Sequence, residues 1–186
     1  MAPIELFFGV LVLIFGLIGL VRGFLRELGV TAVMMFVLFV LHLLEPFLDR
    51  GVDTVMAMGN GLVETANHGA FQTWLFVIVV MIIAFVSYAG ETLSYGGYGP
   101  GGPLGNILGL LIGLFNGYLI VGTLWYYLDK WDYAIEWMGF STEQLSVQAE
   151  AMIEYLPMNF LGEPFLLGQG LLLYLSIVLI VARVIR

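Results

Sequence analysis

Few side chains in this 186-residue chain could do chemistry. There is no cysteine and there are two histidines, His42 and His68. Without thiols, disulfides, thiolate metal sites and cysteine nucleophiles are excluded. His42 stands near the end of an uncharged apolar stretch, where an imidazole can ligate a haem or chlorophyll or can hydrogen-bond at an interface. It is the candidate cofactor-binding residue. Neither it nor His68 has a second ligand nearby in sequence, so no metal site and no cofactor are expected, with a bound lipid or pigment left open. No Ser-His-Asp pattern is present. The glycine-rich run over residues 96–105 lacks the Gly-Lys-Ser/Thr ending that a phosphate cradle needs. An enzyme is not expected.

Two other groups stand out by spacing. Gly105, Gly109, Gly113 and Gly117 recur every four residues, which places them on one helix face. Such a face is a groove without side chains, into which another helix can press its backbone. Gly16, Gly19 and Gly23 are its natural partners. Packing within the chain, self-association and a partner subunit are the readings of this face. The second group is Arg22, Arg26 and Glu27, at the end of the first apolar stretch. These residues can anchor topology at the cytoplasmic interface, or dock an anionic headgroup or a partner carboxylate. Glu5, close to the other end of that stretch, reads as a solvated acid rather than a proton site.

The elements that must position these residues follow from composition. The chain is 61% hydrophobic and 11% charged, and its mean hydropathy is +1.01. A soluble domain carries roughly a quarter charged residues, so a soluble enzyme and a nucleic-acid-binding domain are excluded. The net charge of −8 offers no basic patch for nucleic acid. Uncharged stretches cover residues 6–21, 28–44, 71–89, 104–128 and 165–182. A span needs about 20 residues to cross a core of roughly 30 Å, and backbone in lipid must be helical. The expectation is an all-α polytopic bundle of about five transmembrane helices, with the N-terminus outside and the C-terminus inside. Arg22, Arg26, Arg183 and Arg186 then lie inside, against Arg50 and Lys130 outside. Twelve of the fourteen acids fall outside, leaving that face strongly negative.

Two outer segments read as helices lying on the bundle. In residues 47–64, Leu48, Val52, Val55, Met56, Leu62 and Val63 recur at helical spacing. In residues 141–156, Ser141 with Gln144 fits a capping box and Pro157 ends the helix. Neither polar face is rich in Lys or Arg, so both cap the bundle or meet a partner rather than bind lipid. Trp131, Tyr133 and Trp137 fall where an aromatic belt is expected. The run over residues 96–105 reads as a flexible inner connector, with a re-entrant element as the alternative.

The run Gly19-Leu20-Val21-Arg22-Gly23-Phe24-Leu25-Arg26-Glu27-Leu28 resembles the colicin V production (CvpA-like) family of bacterial inner-membrane proteins. Those proteins have an acidic residue early in the first helix, where Glu5 stands here. Gly105-Asn106-Ile107-Leu108-Gly109, continuing to Gly113, Asn116 and Gly117, resembles a second family motif. Relatives usually carry charged residues beside these glycines, where Gly105, Asn106 and Asn116 are uncharged. The likeness covers residues 1–128, as a CvpA-like four-helix region. Residues 129–186 are then an acidic outer amphipathic segment plus a fifth transmembrane helix.

The resemblance implies a non-enzymatic protein of the bacterial cytoplasmic (inner) membrane, linked to peptide-toxin production, export or envelope homeostasis. The alternative is an accessory subunit that packs against a larger respiratory or photosynthetic complex, through the glycine face and the acidic outer segments. A small transporter or channel ranks last, because the spans offer scattered polar groups such as Thr31, Thr73, Ser87, Asn116, Thr123 and Ser176 rather than ionisable ones. The expected partners are the lipid bilayer and other membrane subunits or a second copy of the chain.

Overall fold

A computed structural model describes residues 3–58, 65–90, 95, 99–135, 139–142 and 145–184. Seven helices and one small hairpin appear among them. They are α1 (Ile4–Arg22), α2 (Phe24–Met58), α3 (Thr65–Ala89), α4 (Gly102–Lys130), α5 (Val147–Ile153), α6 (Pro157–Gly162), β1 (Pro164–Leu166), β2 (Gln169–Gly170) and α7 (Leu171–Val184). Four helices, α1 to α4, are long and apolar enough to cross a membrane. The chain is a membrane protein built as a helix bundle. Its fifth apolar helix, α7, has 14 residues, a rise of about 21 Å.

Three expected boundaries differ, each for a local reason. The second span does not stop at Glu45-Pro46. α2 runs through Pro46 as one 35-residue helix, so no separate surface helix begins at residue 47. Proline forfeits one helical hydrogen bond; here side chains of α4 hold the helix on both sides of it, Tyr126 and Lys130 binding Glu45, and Lys130 binding Asp49. The end of that expected segment, 59–64, lies outside the described residues. The second outer helix is shorter than expected. Ser146, not Ser141, caps α5 by accepting the Ala149 N–H at 3.0 Å, and Gln144 and Trp137 lie outside the described residues. Pro157 opens α6 instead of merely ending a helix, because a missing N–H costs nothing at a first helical position. The fifth apolar stretch does not begin as a helix at Phe165. Leu167 and Gly168 take φ of 50° and 75°, the paired positive angles of a two-residue hairpin turn. They fold residues 164–170 into an antiparallel pair, and the Tyr174 hydroxyl binds the Leu166 carbonyl at 2.6 Å.

α1 and α4 pack antiparallel over their glycines. Of α1, Ile4, Gly16 and Gly19 are buried, Phe8, Val12, Phe15 and Ile18 are half-buried, and much of the remaining surface is exposed and apolar, as suits lipid. A Cβ on Gly19 would collide with the Gly109 carbonyl and lie 2.7 Å from the Gly113 Cα. One on Gly113 would lie 2.5 Å from the Phe15 carbonyl and 2.9 Å from the Gly19 Cα, and one on Gly117 would lie 2.9 Å from the Val12 Cα. The contact is backbone on backbone, as small-residue faces permit. The main core lies on the opposite side of α4. There Met34, Met35 and Leu38 of α2, Phe76 and Val80 of α3, Leu119, Ile120 and Tyr127 of α4, and Leu172 of α7 are buried together. Phe76, Tyr127 and Trp131 stack with centroids 4.4 to 5.8 Å apart. At the end where α1 begins and α4 stops, Ile4, Trp125, Leu128, Tyr133, Ile135, Ala149 and Leu156 form a second cluster. It ties the segment after α4 to α1.

Substituting Gly19 by valine places branched carbons into the α4 backbone, and overpacking of this kind costs about 1–3 kcal/mol or more. Thermal unfolding in detergent is expected to drop clearly for Gly19→Val. It is expected to stay within error for Gly9→Ala on the same helix, whose Cβ meets nothing within 4 Å.

Candidate functional site

α1 stops at Arg22 because Gly23 turns the chain. Gly23 has φ 87° and ψ 158°, a conformation open to glycine, and its N–H binds the Gly19 carbonyl at 2.9 Å. Helix resumes at Phe24. The corner brings Arg22 and Glu27 together, with Nη1 and Oε1 3.1 Å apart. Glu27 is completely buried. Three helices besides its own supply its partners. The Tyr88 hydroxyl of α3 donates to Oε2 at 2.9 Å. The Asn116 amide of α4 donates to Oε2 at 2.8 Å and to the Glu27 carbonyl at 3.0 Å. Arg22 of α1 donates to Oε1 and covers the Tyr88 ring, 4.6 Å from its centroid.

Asn116 is fully used. Both amide protons go to Glu27, and its carbonyl accepts from the Thr31 hydroxyl at 2.7 Å, which fixes the orientation of the amide. A buried ionised carboxylate is tolerated when it is paired and its lone pairs are filled. This one has a cation and two neutral donors. The arrangement is a closed polar node, and chemically it can clamp four helices together.

The structure places the other sequence-derived residues as follows. Arg26, though in the same motif, is exposed and turned away from the node. Arg22, Gly23 and Glu27 are joined with Asn116; Glu27 is therefore an interior residue rather than part of an outward-facing docking site. The expectation that the spans lack ionisable groups is corrected here, since a helical corner after Gly23 carries Glu27 into the bundle. Gly16, Gly19, Gly109, Gly113 and Gly117 meet in the α1–α4 contact. Gly105 belongs elsewhere, because its missing Cβ accommodates the Pro100 carbonyl of its own preceding loop. Glu5 is not simply solvated. Ser146 donates to its Oε1 at 2.6 Å, and Oε2 is buried with no partner among the described residues. His42 is exposed beside Gly162, on the rim of a cavity of about 450 Å³ that Tyr126, Glu154, Asn159, Glu163 and Gln169 also line. No group of three or more metal-ligating side chains exists among the described residues. The side chain of His68 lies outside them, as do Arg186 and residues 96–98 of the glycine-rich run, whose end, from Gly102, is the first turn of α4.

A second polar node escaped the sequence reading. At the end of the bundle where α4 stops, Lys130 of α4 pairs with Glu45 and Asp49 of α2, the latter at 2.8 Å. Tyr126 donates to Glu45 at 3.0 Å, and Gln72 of α3 reaches Asp49 at 3.5 Å. Just beyond α4, burial raises the pKa of the Tyr133 hydroxyl, which accepts the Trp125 indole N–H at 2.8 Å. Between α3 and α4, burial likewise raises that of Tyr95, against the nearby charge of Arg183. The charges of this second node are some eighty residues apart and leave no local pattern, whereas Arg22 and Glu27 of the first are close in sequence. The nearest signal for the distant partners of Glu27 was Asn116, next to Gly117 on α4.

No family model, curated protein or solved structure matches this chain.

Removing one partner of a buried ion pair costs about 3–5 kcal/mol. Arg22→Leu and Glu27→Ala are each expected to destabilise the bundle by that order in reversible unfolding. The double variant is expected to cost less than the two together, because no orphaned charge remains. Additive losses would show that the two side chains act independently.

Proposed function

We propose that the chain is a non-enzymatic integral membrane protein of the colicin V production type, acting in export or envelope homeostasis in a bacterial cytoplasmic membrane. One observation carries this reading. The two segments on which the resemblance rests, residues 19–28 and 105–117, are far apart in sequence but touch one another. Gly19 meets Gly109 and Gly113, and Glu27 meets Asn116. Motifs that form one joint site are a better basis for kinship than motifs that lie scattered. In this reading Asn116 supplies neutrally, as a hydrogen-bond donor, what a charged residue near that position does in relatives.

The chain crosses the membrane with its N-terminus outside and its C-terminus inside. α7 and the hairpin before it make up the fifth crossing. The placement of charge supports this: Arg22 and Arg26 cluster at the end of the bundle where α4 begins, Arg183 lies toward that same end, and Arg50 and Lys130 lie at the other. Transport remains the weaker reading. Glu27 has its oxygens filled by protein donors, whereas a carrier site needs groups free to meet a substrate.

Deletion of the gene in the native bacterium is expected to raise sensitivity to detergents and other envelope stresses. Wild-type chain is expected to restore resistance, and Arg22→Leu to restore it poorly at equal membrane abundance. Unaltered growth of the deletion strain across such conditions would overturn the proposal.

A further inference from the structure

A slot of about 390 Å³ lies between α2 and α7. Ala32, Val33 and Phe36 of α2 form one wall, and Leu179 and Ile180 of α7 form the other. Tyr95 closes part of it, but its hydroxyl is committed to the Leu179 carbonyl at 2.7 Å. The lining is therefore apolar apart from one group. That group is Arg183, in the last turn of α7, which is exposed and makes no hydrogen bond or ion pair with any described residue. The other two arginines near this end differ from it. Arg22 is consumed by Glu27, and Arg26 does not border the slot.

We infer that this slot binds one acyl chain of an anionic phospholipid, with Arg183 pairing to the lipid phosphate. The apolar walls give a hydrated small anion nothing to bind, but they bury hydrocarbon favourably. A guanidinium presents paired donors that match phosphate oxygens, and a long side chain at a helix end reaches the headgroup level while its stem lies on apolar surface. The phosphate supplies the counter-charge that no described residue offers Arg183. The site is independent of the glycine face and of the Glu27 node.

The test uses the full chain, purified in mild detergent, with phosphatidylglycerol, phosphatidylcholine or sn-glycerol 3-phosphate added. Retained lipid is counted by native mass spectrometry, and melting temperature is followed in parallel. Wild type is expected to retain phosphatidylglycerol about fivefold over phosphatidylcholine, the ratio that one arginine near a lipid phosphate supplies. Arg183→Gln is expected to bring that ratio to about one, Arg183→Lys to keep most of it, and Arg26→Gln to leave it unchanged. Val33→Trp, which fills the slot, is expected to lower retention of both lipids. Glycerol phosphate is expected neither to compete nor to stabilise. Circular dichroism checks that each variant is folded; if Arg183→Gln is not, the wild-type ratio together with Arg183→Lys and Val33→Trp decides. Equal retention by wild type, a preference that survives Arg183→Gln, or a preference lost with Arg26→Gln would overturn the inference. So would competition by glycerol phosphate, which would make this a free-anion site.

Discussion

A carboxylate with no exposure to solvent is the constraint on which one half of this bundle depends. In a low-dielectric interior an unpaired Glu27 would be far too costly to keep ionised. Each of its partners comes from a different helix, so the requirement to satisfy one side chain fixes three relationships at once. Arg22 sets the angle of the α1–α2 corner, Tyr88 sets the C-terminal end of α3, and Asn116 sets the register of α4 against α2. Apolar packing in lipid has little directional preference, since lipid tails resemble the side chains they would replace. A polar node supplies the specificity that such packing lacks.

The glycine face and this node are two parts of one arrangement. Arg22 reaches Glu27 because α1 ends beside α4, and α1 can lie that close because Gly19, Gly109 and Gly113 present bare backbone. Gly23 then has to turn immediately, since any further helix would carry the chain past the node. A side chain at Gly19 would push α1 outward and lengthen the Arg22–Glu27 contact. Mutations at the glycines should therefore be felt electrostatically as well as sterically. Asn116 follows the same logic from the other side. It is flanked by Gly113 and Gly117 on α4 yet faces α2, so the helix uses adjoining faces for backbone packing and for hydrogen bonding.

Much of this was legible in residue types and spacing, and the parts that were not share a cause. Four long apolar helices are visible because their composition is extreme and their length is set by the bilayer. The pairing of Gly16 and Gly19 with Gly109 and Gly113 is visible because a four-residue period survives in one dimension. Glu27 was read as an interfacial anchor because its depth depends on how sharply Gly23 turns, and this is a torsion angle rather than a pattern. The break between the stretches 28–44 and 47–64 does not form at Pro46, because the effect of a proline is local, while Lys130, which binds on both sides of it, is distant in sequence. The hairpin at 164–170 was hidden inside an apolar run because Leu167 adopts a positive φ that its side chain disfavours. In each case a tertiary contact or an uncommon backbone angle overrides a sound local preference.

The two polar nodes also bear on how the bundle meets the bilayer. Both join the same pair of helices, α2 and α4, and α2 contributes Glu27 to one and Glu45 and Asp49 to the other. Eighteen residues of α-helix separate Glu27 from Glu45, a rise of about 27 Å, close to the roughly 30 Å of hydrocarbon in a membrane. Between them α2 presents Met34, Met35 and Leu38 inward, all fully buried, and apart from Thr31 and His42 its other residues are apolar or glycine. α2 and α4 are thus tied at two levels about one hydrocarbon thickness apart. A pair fastened at both ends resists sliding and tilting in a way that a single contact cannot. α1 is held differently, by its glycine seam, by Arg22 at one end and by Glu5 on Ser146 at the other. α3 shares the nodes through Tyr88 and Gln72. The four long helices are therefore cross-linked near both ends of the bundle and carry no Asp, Glu, Lys or Arg between, an arrangement that confines the cost of buried charge to two levels.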